Sequence, residues 1–257
     1  MCGSVGDDSL GEEYIRQFQS EGVSIDFITK SKGVSTGIAN INVETSTGAN
    51  TIVVVAGANA NVDISLDNVG NQALVEHIRQ ARVLICQNEV PLASTLTALN
   101  IARSGNTLSI FNPAPASLDL IDLVGACDII CPNETELSTL TCLPTKTEEE
   151  IVTAADHLLS LGCNAVIVTL GERGAYLASR ARSLFIRTEP VVAVDSTGAG
   201  DSFIGTNFSF FPQYKPWVVN MNGCIMGQNF PKASNFLLIF VVIISNDILN
   251  IRALENI

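Results

Sequence analysis

The stretch Val191–Phe203, VVAVDSTGAGDSF, carries the residue types and spacing in this chain best suited to chemistry. An apolar β-branched run breaks at Asp195 into a turn with Gly198 and Gly200, and the turn leads into a helix start. Glycine tolerates φ > 0 and has no Cβ. Successive backbone N–H groups can therefore point into one concavity at a helix N-terminus and hold an anion such as phosphate. Asp201 follows in or just before the first helical turn, where a carboxylate could take the proton of an attacking hydroxyl. The same residues also read as a capping Asp after an ordinary strand-to-helix turn, and this stretch alone leaves both readings open.

Such a turn needs neighbouring loops that reach the same edge, and the chain beyond Asp67 supplies an alternation of strands and helices. A helix through Leu74 and Ile78 leads to the strand VLICQ (83–87), then to a helix opened by Pro91 and closed at Gly105, then to TLSIFN. DIIC (128–131) follows, then a helix capped by Thr147 and Glu150 and ended by Gly162, then AVIVT (165–169). A hairpin around Arg180–Ser183 joins AYLAS to LFIRT. The expected fold is α/β, a largely parallel sheet flanked by helices. Ligands of such sheets bind at the carboxyl ends of the strands. There the chain places Glu89, NPAPA (112–116), PNETE (132–136), LGERG (170–174) and DSTGAGD (195–201).

Before Asp67 the pattern differs. Leu10, Tyr14, Ile15 and Phe18 predict entry on a helix rather than a strand. IDFIT, GIANINV and TIVVVA then predict a small separate sheet over 25–56, a β lid or dimerisation flap, with 1–24 and 57–257 forming the core. GDDSLGE has two glycines but lacks the Lys and Ser/Thr of a phosphate loop.

With 257 residues, 47% of them hydrophobic, the chain can bury a substantial core. A net charge of −12 argues against a nucleic-acid partner. Seven cysteines without a CxxC pair, and only two histidines, predict buried free thiols in a reducing compartment and no zinc site. The polar, acidic start is unlike a signal peptide, so the expected location is the cytoplasm, with the nucleus allowed. The apolar run Phe236–Ile244 is nine residues, too short to span a bilayer, so no membrane association is expected.

DSTGAGDSF closely resembles the second signature of the PfkB family of sugar kinases, and NPAPA, PNETE and TLGERG, in this order and spacing, resemble its ribokinase branch over roughly Gly3–Gly205. The resemblance implies ATP-dependent phosphorylation of D-ribose to ribose 5-phosphate, with ATP, Mg2+ and K+ required and the lid as a surface for a homodimer. It implies Asp201 as the base for the sugar 5-hydroxyl, and Gly198, Ala199 and Gly200 as N–H donors to the charge of the transferring phosphoryl group. Asn133 would contact ATP and Glu136 would help hold magnesium and phosphate through water. Thr169, Leu170, Gly171, Glu172, Arg173 and Gly174 would line the nucleotide pocket, and Glu89 would contact the sugar. Asp195 and Thr197 match positions that help coordinate potassium, and Ala39 and Ile41 fall where the lid covers the sugar. The other readings are a non-catalytic nucleotide-binding or dimerisation protein, and a kinase of fructose or a nucleoside.

Two departures from that family stand out. Its members open with a strand bearing a sugar-binding Asp and then a GGKGAN motif, whereas this chain starts after both. After Gly205 the alanine-rich helices of the family give way to text broken by Pro212, Pro216 and Pro231, with the composition of read-through or mis-spliced sequence. Reduced activity, unpaired strand edges and poor solubility are the expected consequences.

Overall fold

The structure is a computed structural model that describes residues 1–43, 50–189, 198–210 and 236–239. The alternating half of the chain folds as its pattern predicts. Helix α2 (Gln72–Gln80) precedes β5 (Val83–Cys86), α3 (Leu92–Gly105) and β6 (Leu108–Phe111). A short α4 (Ile121–Val124) leads to β7 (Ile129–Ile130), α5 (Glu134–Thr141), α6 (Glu148–Ser160) and β8 (Ala165–Thr169). The hairpin β9 (Ala175–Ser179) and β10 (Ser183–Ile186) ends this part, and α7 spans Ala199–Phe210.

Local chemistry sets the ends of these helices. Thr147 and Glu150 form the expected capping box of α6, and Asn133 and Glu136 form a second one at α5. Helix α3 starts after Pro91 and stops at Asn106, which adopts the left-handed conformation at φ 62°. Its last residue, Gly105, is obligatory for a different reason. A Cβ there would meet the Arg79 backbone at 2.5 Å, so the absent side chain lets α3 close on α2.

The chain does not enter on a helix. Cys2–Gly6 forms strand β1, fully buried, and only then does α1 (Ser9–Ser20) begin. Five residues without a polar–apolar alternation give little signal, because a strand buried on both faces has none. Asp8 caps α1 by accepting from the Gly11 N–H, and also accepts from the N–H and hydroxyl of buried Thr36, which holds its carboxyl below the usual range. The small sheet is also shorter than expected. Strand β2 (Phe27–Ser31), which covers most of IDFIT, pairs in parallel with β1 inside the main sheet. Only β3 (Ile38–Val43) and β4 (Asn50–Val55) form the separate antiparallel pair.

The main sheet runs β10-β9-β8-β7-β6-β5-β11-β1-β2, parallel except for β9 and β10. Strand β11 is Phe236–Ile239, from the stretch that departs from the family pattern. It lies between β1 and β5, pairing in parallel with both, so the strand edges expected to be unpaired are covered. Pro212, Pro216 and Pro231 lie outside the described residues. Alternate residues of each strand feed opposite faces. On β5, Leu84 and Cys86 join the larger core with α3 and α6, while Val83 and Ile85 join a second core with Phe203 and Ile204 of α7. The Cys2, Cys86, Cys127, Cys131 and Cys163 thiols are free and buried as expected, whereas Cys142 is exposed.

Candidate active site

The carboxyl ends of β6 to β8 and the start of α7 meet around one cleft of about 140 Å³. Its lining includes Asn112 and Ala114 after β6, Cys131 and Asn133 after β7, Glu136, Thr169 at the end of β8, and Gly198, Gly200 and Asp201 of the α7 turn. Sites that enclose a whole small ligand run roughly 300–1,000 Å³, so this cleft has the size of a subsite.

The α7 turn has the form its sequence implies, with one difference. Gly198 adopts φ +74°, which a side chain would strain, but Gly200 has no positive φ and sits in the first helical turn. A Cβ at Gly200 would touch nothing within 4 Å among the described residues. The Ser202 N–H closes the first helical bond to the Gly198 carbonyl. Helix geometry then leaves the N–H groups of Ala199, Gly200 and Asp201 without intrahelical acceptors, next to the cleft.

Asp201 keeps contact with solvent, yet burial by surrounding protein raises its pKa above the ordinary carboxylate value. A hydrogen bond from Gln87 Nε2 to Asp201 Oδ1, 3.1 Å long, opposes that rise. Two further carboxylates feel the same surroundings. Glu89 is pushed up to about 7 by burial and then by the nearby Asp201 charge. Glu136 is raised by burial, with Asp201 adding to the rise and the Asn133 N–H acting against it. Two acids of the cleft, Asp201 and Glu136, and a third beside Asp201, Glu89, all have their charged forms disfavoured, which fits a ligand that brings positive charge or hydrogen-bond donors.

The other expected residues separate into those at the cleft and those away from it. Asn133, Glu136 and Thr169 line it. The Asn133 Oδ1 accepts from the Glu136 N–H at 2.8 Å and the Glu136 carboxylate accepts from the Asn133 N–H at 2.7 Å, so each is a helix cap as well as a lining group. Leu170 turns into the core at 2% exposure. Gly171, Glu172 and Arg173 form a single 3-10 turn beyond it, with Arg173 paired to Glu134. Gly174 takes φ +96° and packs against Ile186, where a Cβ would strike the carbonyl oxygen. Glu89 is outside the lining, on the loop after β5. Ala39 is buried and Ile41 lies with it on β3, in the two-stranded sheet. Asp195 and Thr197 lie outside the described residues.

Sequence reasoning passed over Gln87 and Cys131, and reached Asn112 only as the first residue of NPAPA. Gln87 reads as the last residue of a strand, but β5 ends at Cys86 and Gln87 leaves the ladder to meet Asp201. Asn112 Nδ2 donates to the Cys131 carbonyl at 2.8 Å and ties two cleft loops together. The available signal was a polar residue directly at the carboxyl end of a parallel strand.

The description of the pfkB family of carbohydrate kinases matches residues 1–216. Mouse ribokinase is 39% identical over 215 residues, covering 82% of this chain and 65% of its own. Deoxyribokinase of Salmonella typhimurium is 34% identical over 214 residues, covering 83% of this chain and 68% of its own. Among solved structures, Arabidopsis thaliana ribokinase complexed with ribose and ATP superposes with a TM-score of 0.73 at 27% identity, over 88% of this chain and 72% of that one. The chain thus spans about two thirds of the length of these curated relatives.

Proposed function

Since the chain belongs to the pfkB family of carbohydrate kinases, we propose that it transfers the γ-phosphoryl group of ATP to the 5-hydroxyl of D-ribose, giving ribose 5-phosphate and ADP. The observation that carries this reading is the placement of Asp201 in the first turn of α7, with its carboxylate and the open N–H groups of that turn on the same cleft. The hydroxyl oxygen bonds to the γ-phosphorus, its proton passes to the Asp201 carboxylate, and the bond from that phosphorus to the bridging oxygen of ADP breaks. The raised pKa of Asp201 makes it a stronger base than an ordinary Asp. The Ala199, Gly200 and Asp201 N–H groups are aimed at the charge on the transferring group, where preorganised donors act without reorganisation. Glu89 would accept from a sugar hydroxyl, which a group titrating near 7 does in its charged form above neutrality.

Asn133 and Thr169 would meet the nucleotide, with the 171–174 turn walling that side. The Glu136 carboxylate offers hard oxygen with unfavourable charge, which fits water-mediated support of a magnesium ion. Bound magnesium would shield phosphate charge, and potassium would be held by Asp195 and Thr197. The test is ADP release with D-ribose, ATP, magnesium and potassium, with 2-deoxyribose in a parallel arm because of the Salmonella relative. Asp201→Asn should lower kcat by about 10²–10⁴-fold. An unchanged rate removes Asp201 from the mechanism, and ATP binding without sugar-dependent turnover favours a non-catalytic nucleotide-binding protein.

We also propose that two copies pair through β3 and β4, and that the chain works in the cytoplasm, where its buried thiols stay reduced. An isolated two-stranded sheet is marginal in water, and Val53, Val54 and Val55 are 56%, 52% and 56% exposed on it. Light scattering should report a dimer mass that Val54→Lys halves; a monomer for the unsubstituted chain removes the pairing.

A further inference from the structure

We propose that Gln87 is a positioning residue for the base, its side-chain amide holding the Asp201 carboxylate in one rotamer so that Oδ2 faces the hydroxyl to be deprotonated. This rests on the reading of Asp201 as the base. The geometry is specific. Gln87 Nε2 donates to Asp201 Oδ1 at 3.1 Å, a contact across 114 positions of sequence that joins the end of β5 to the first turn of α7. A carboxylate only accepts, so the amide must present its NH2 group, which settles its orientation. Oδ1 is thereby engaged, leaving Oδ2 as the oxygen without a described donor.

The backbone of Gln87 is itself held. The Asn112 N–H donates to the Cys86 carbonyl at 2.9 Å and the Asn88 N–H donates to the Ala114 carbonyl at 3.1 Å, so the residue is clamped on both sides against the loop after β6. Thr95 Oγ1 donates to the Gln87 carbonyl from α3. A rigidly mounted amide can hold a base that stands in contact with solvent.

The second observation is what this placement gives up. Gln87 is 8% exposed, and its Oε1 is buried with no partner among the described residues. A buried unpaired acceptor is unfavourable, so Gln is a poor choice for packing alone, and a Met of the same length would serve the core better. Of the titratable groups that face Asp201 from other elements, the ionised Glu89 and Glu136 carboxylates only accept and the neutral Cys131 thiol offers a weak S–H donor, while the amides of Asn112 and Asn133 and the Thr169 hydroxyl line the same cleft; among the described residues the side-chain donor bonded to Asp201 is Gln87. Gln87 is the donor that keeps the base aimed.

Gln87→Met tests this in the full chain. Expected are a kcat lower by about 10–100-fold, KM values for ATP and D-ribose within about twofold, and a melting temperature equal or higher. A merely structural role predicts the opposite, a lower melting temperature with KM and kcat both affected, and that result overturns the assignment, as does an unchanged kcat. An activity-independent measurement separates this from failure of the kinase reading. Three-bond Hα–Hβ couplings of Asp201 should report one rotamer in the unsubstituted protein and averaging in Gln87→Met, and the Gln87 amide protons should shift in Asp201→Ala. If no turnover is found but the couplings change in this way, the kinase reading fails and the positioning stands. If one rotamer persists in Gln87→Met, the positioning fails whatever the activity.

Discussion

Glu89 illustrates how burial among acids becomes a pH dependence. Its pKa is about 7 in the fold, by burial first and the Asp201 charge second, against an ordinary value of 4.5. The native state therefore keeps a proton that the unfolded chain has already released. Stability falls as pH rises from about 4.5 to about 7, and the full penalty is present above that. Glu89→Gln removes it. Without ligands, that variant should be about 1–2 kcal/mol more stable at pH 8, the full shift being discounted for partial solvent access, and no more stable at pH 4. Urea melts at the two pH values measure the difference. Glu136 and Asp201 shift in the same direction, so this edge of the sheet as a whole trades stability for a site that receives a ligand.

At the scale of elements, α5 shows one pair of residues in two roles. The Asn133–Glu136 capping box satisfies two N–H groups at the start of the helix, those of Asn133 and Glu136, and both residues line the cleft. Asn133→Ala should cost about 1 kcal/mol through loss of the cap. Asn133→Ser keeps a capping oxygen but removes the amide, so it should retain the melting temperature and weaken ATP binding if Asn133 touches the nucleotide. Calorimetry for stability and titration for affinity separate the two roles. The Asn133–Glu136 box is a local pattern, three residues apart, of the same kind that made the Thr147–Glu150 cap legible. That the α5 cap is also a cleft wall depends on the bridge between Asn133 and Thr169, from a strand more than thirty positions away.

For the molecule as a whole, the central question is what completes the sheet between β1 and β5. Phe236–Ile239 lies there with partners on both sides, Ile239 opposite Cys2 and Phe236 to Ile239 opposite Val83 to Cys86. An interior strand cannot spare an amide proton without losing a ladder bond. Leu238→Pro should therefore destabilise the protein by about 3 kcal/mol or more and expose the β1 and β5 edges to aggregation. A denaturant midpoint unchanged by Leu238→Pro would show that this strand does not close the sheet.

The α/β alternation, the ends of α3 and the cap of α6, the family signature and the turn at Gly198–Asp201 were legible without the fold, because each is written within a few consecutive residues by periodicity, capping chemistry or glycine spacing. Tertiary structure decided that Cys2–Gly6 is a strand, that Phe27–Ser31 belongs to the main sheet, that Phe236–Ile239 sits at its centre, and that Gln87 meets Asp201. Those outcomes depend on pairing between segments far apart in the chain. A buried parallel strand looks alike wherever it ends up, and only its neighbours decide which residue at its end reaches the site.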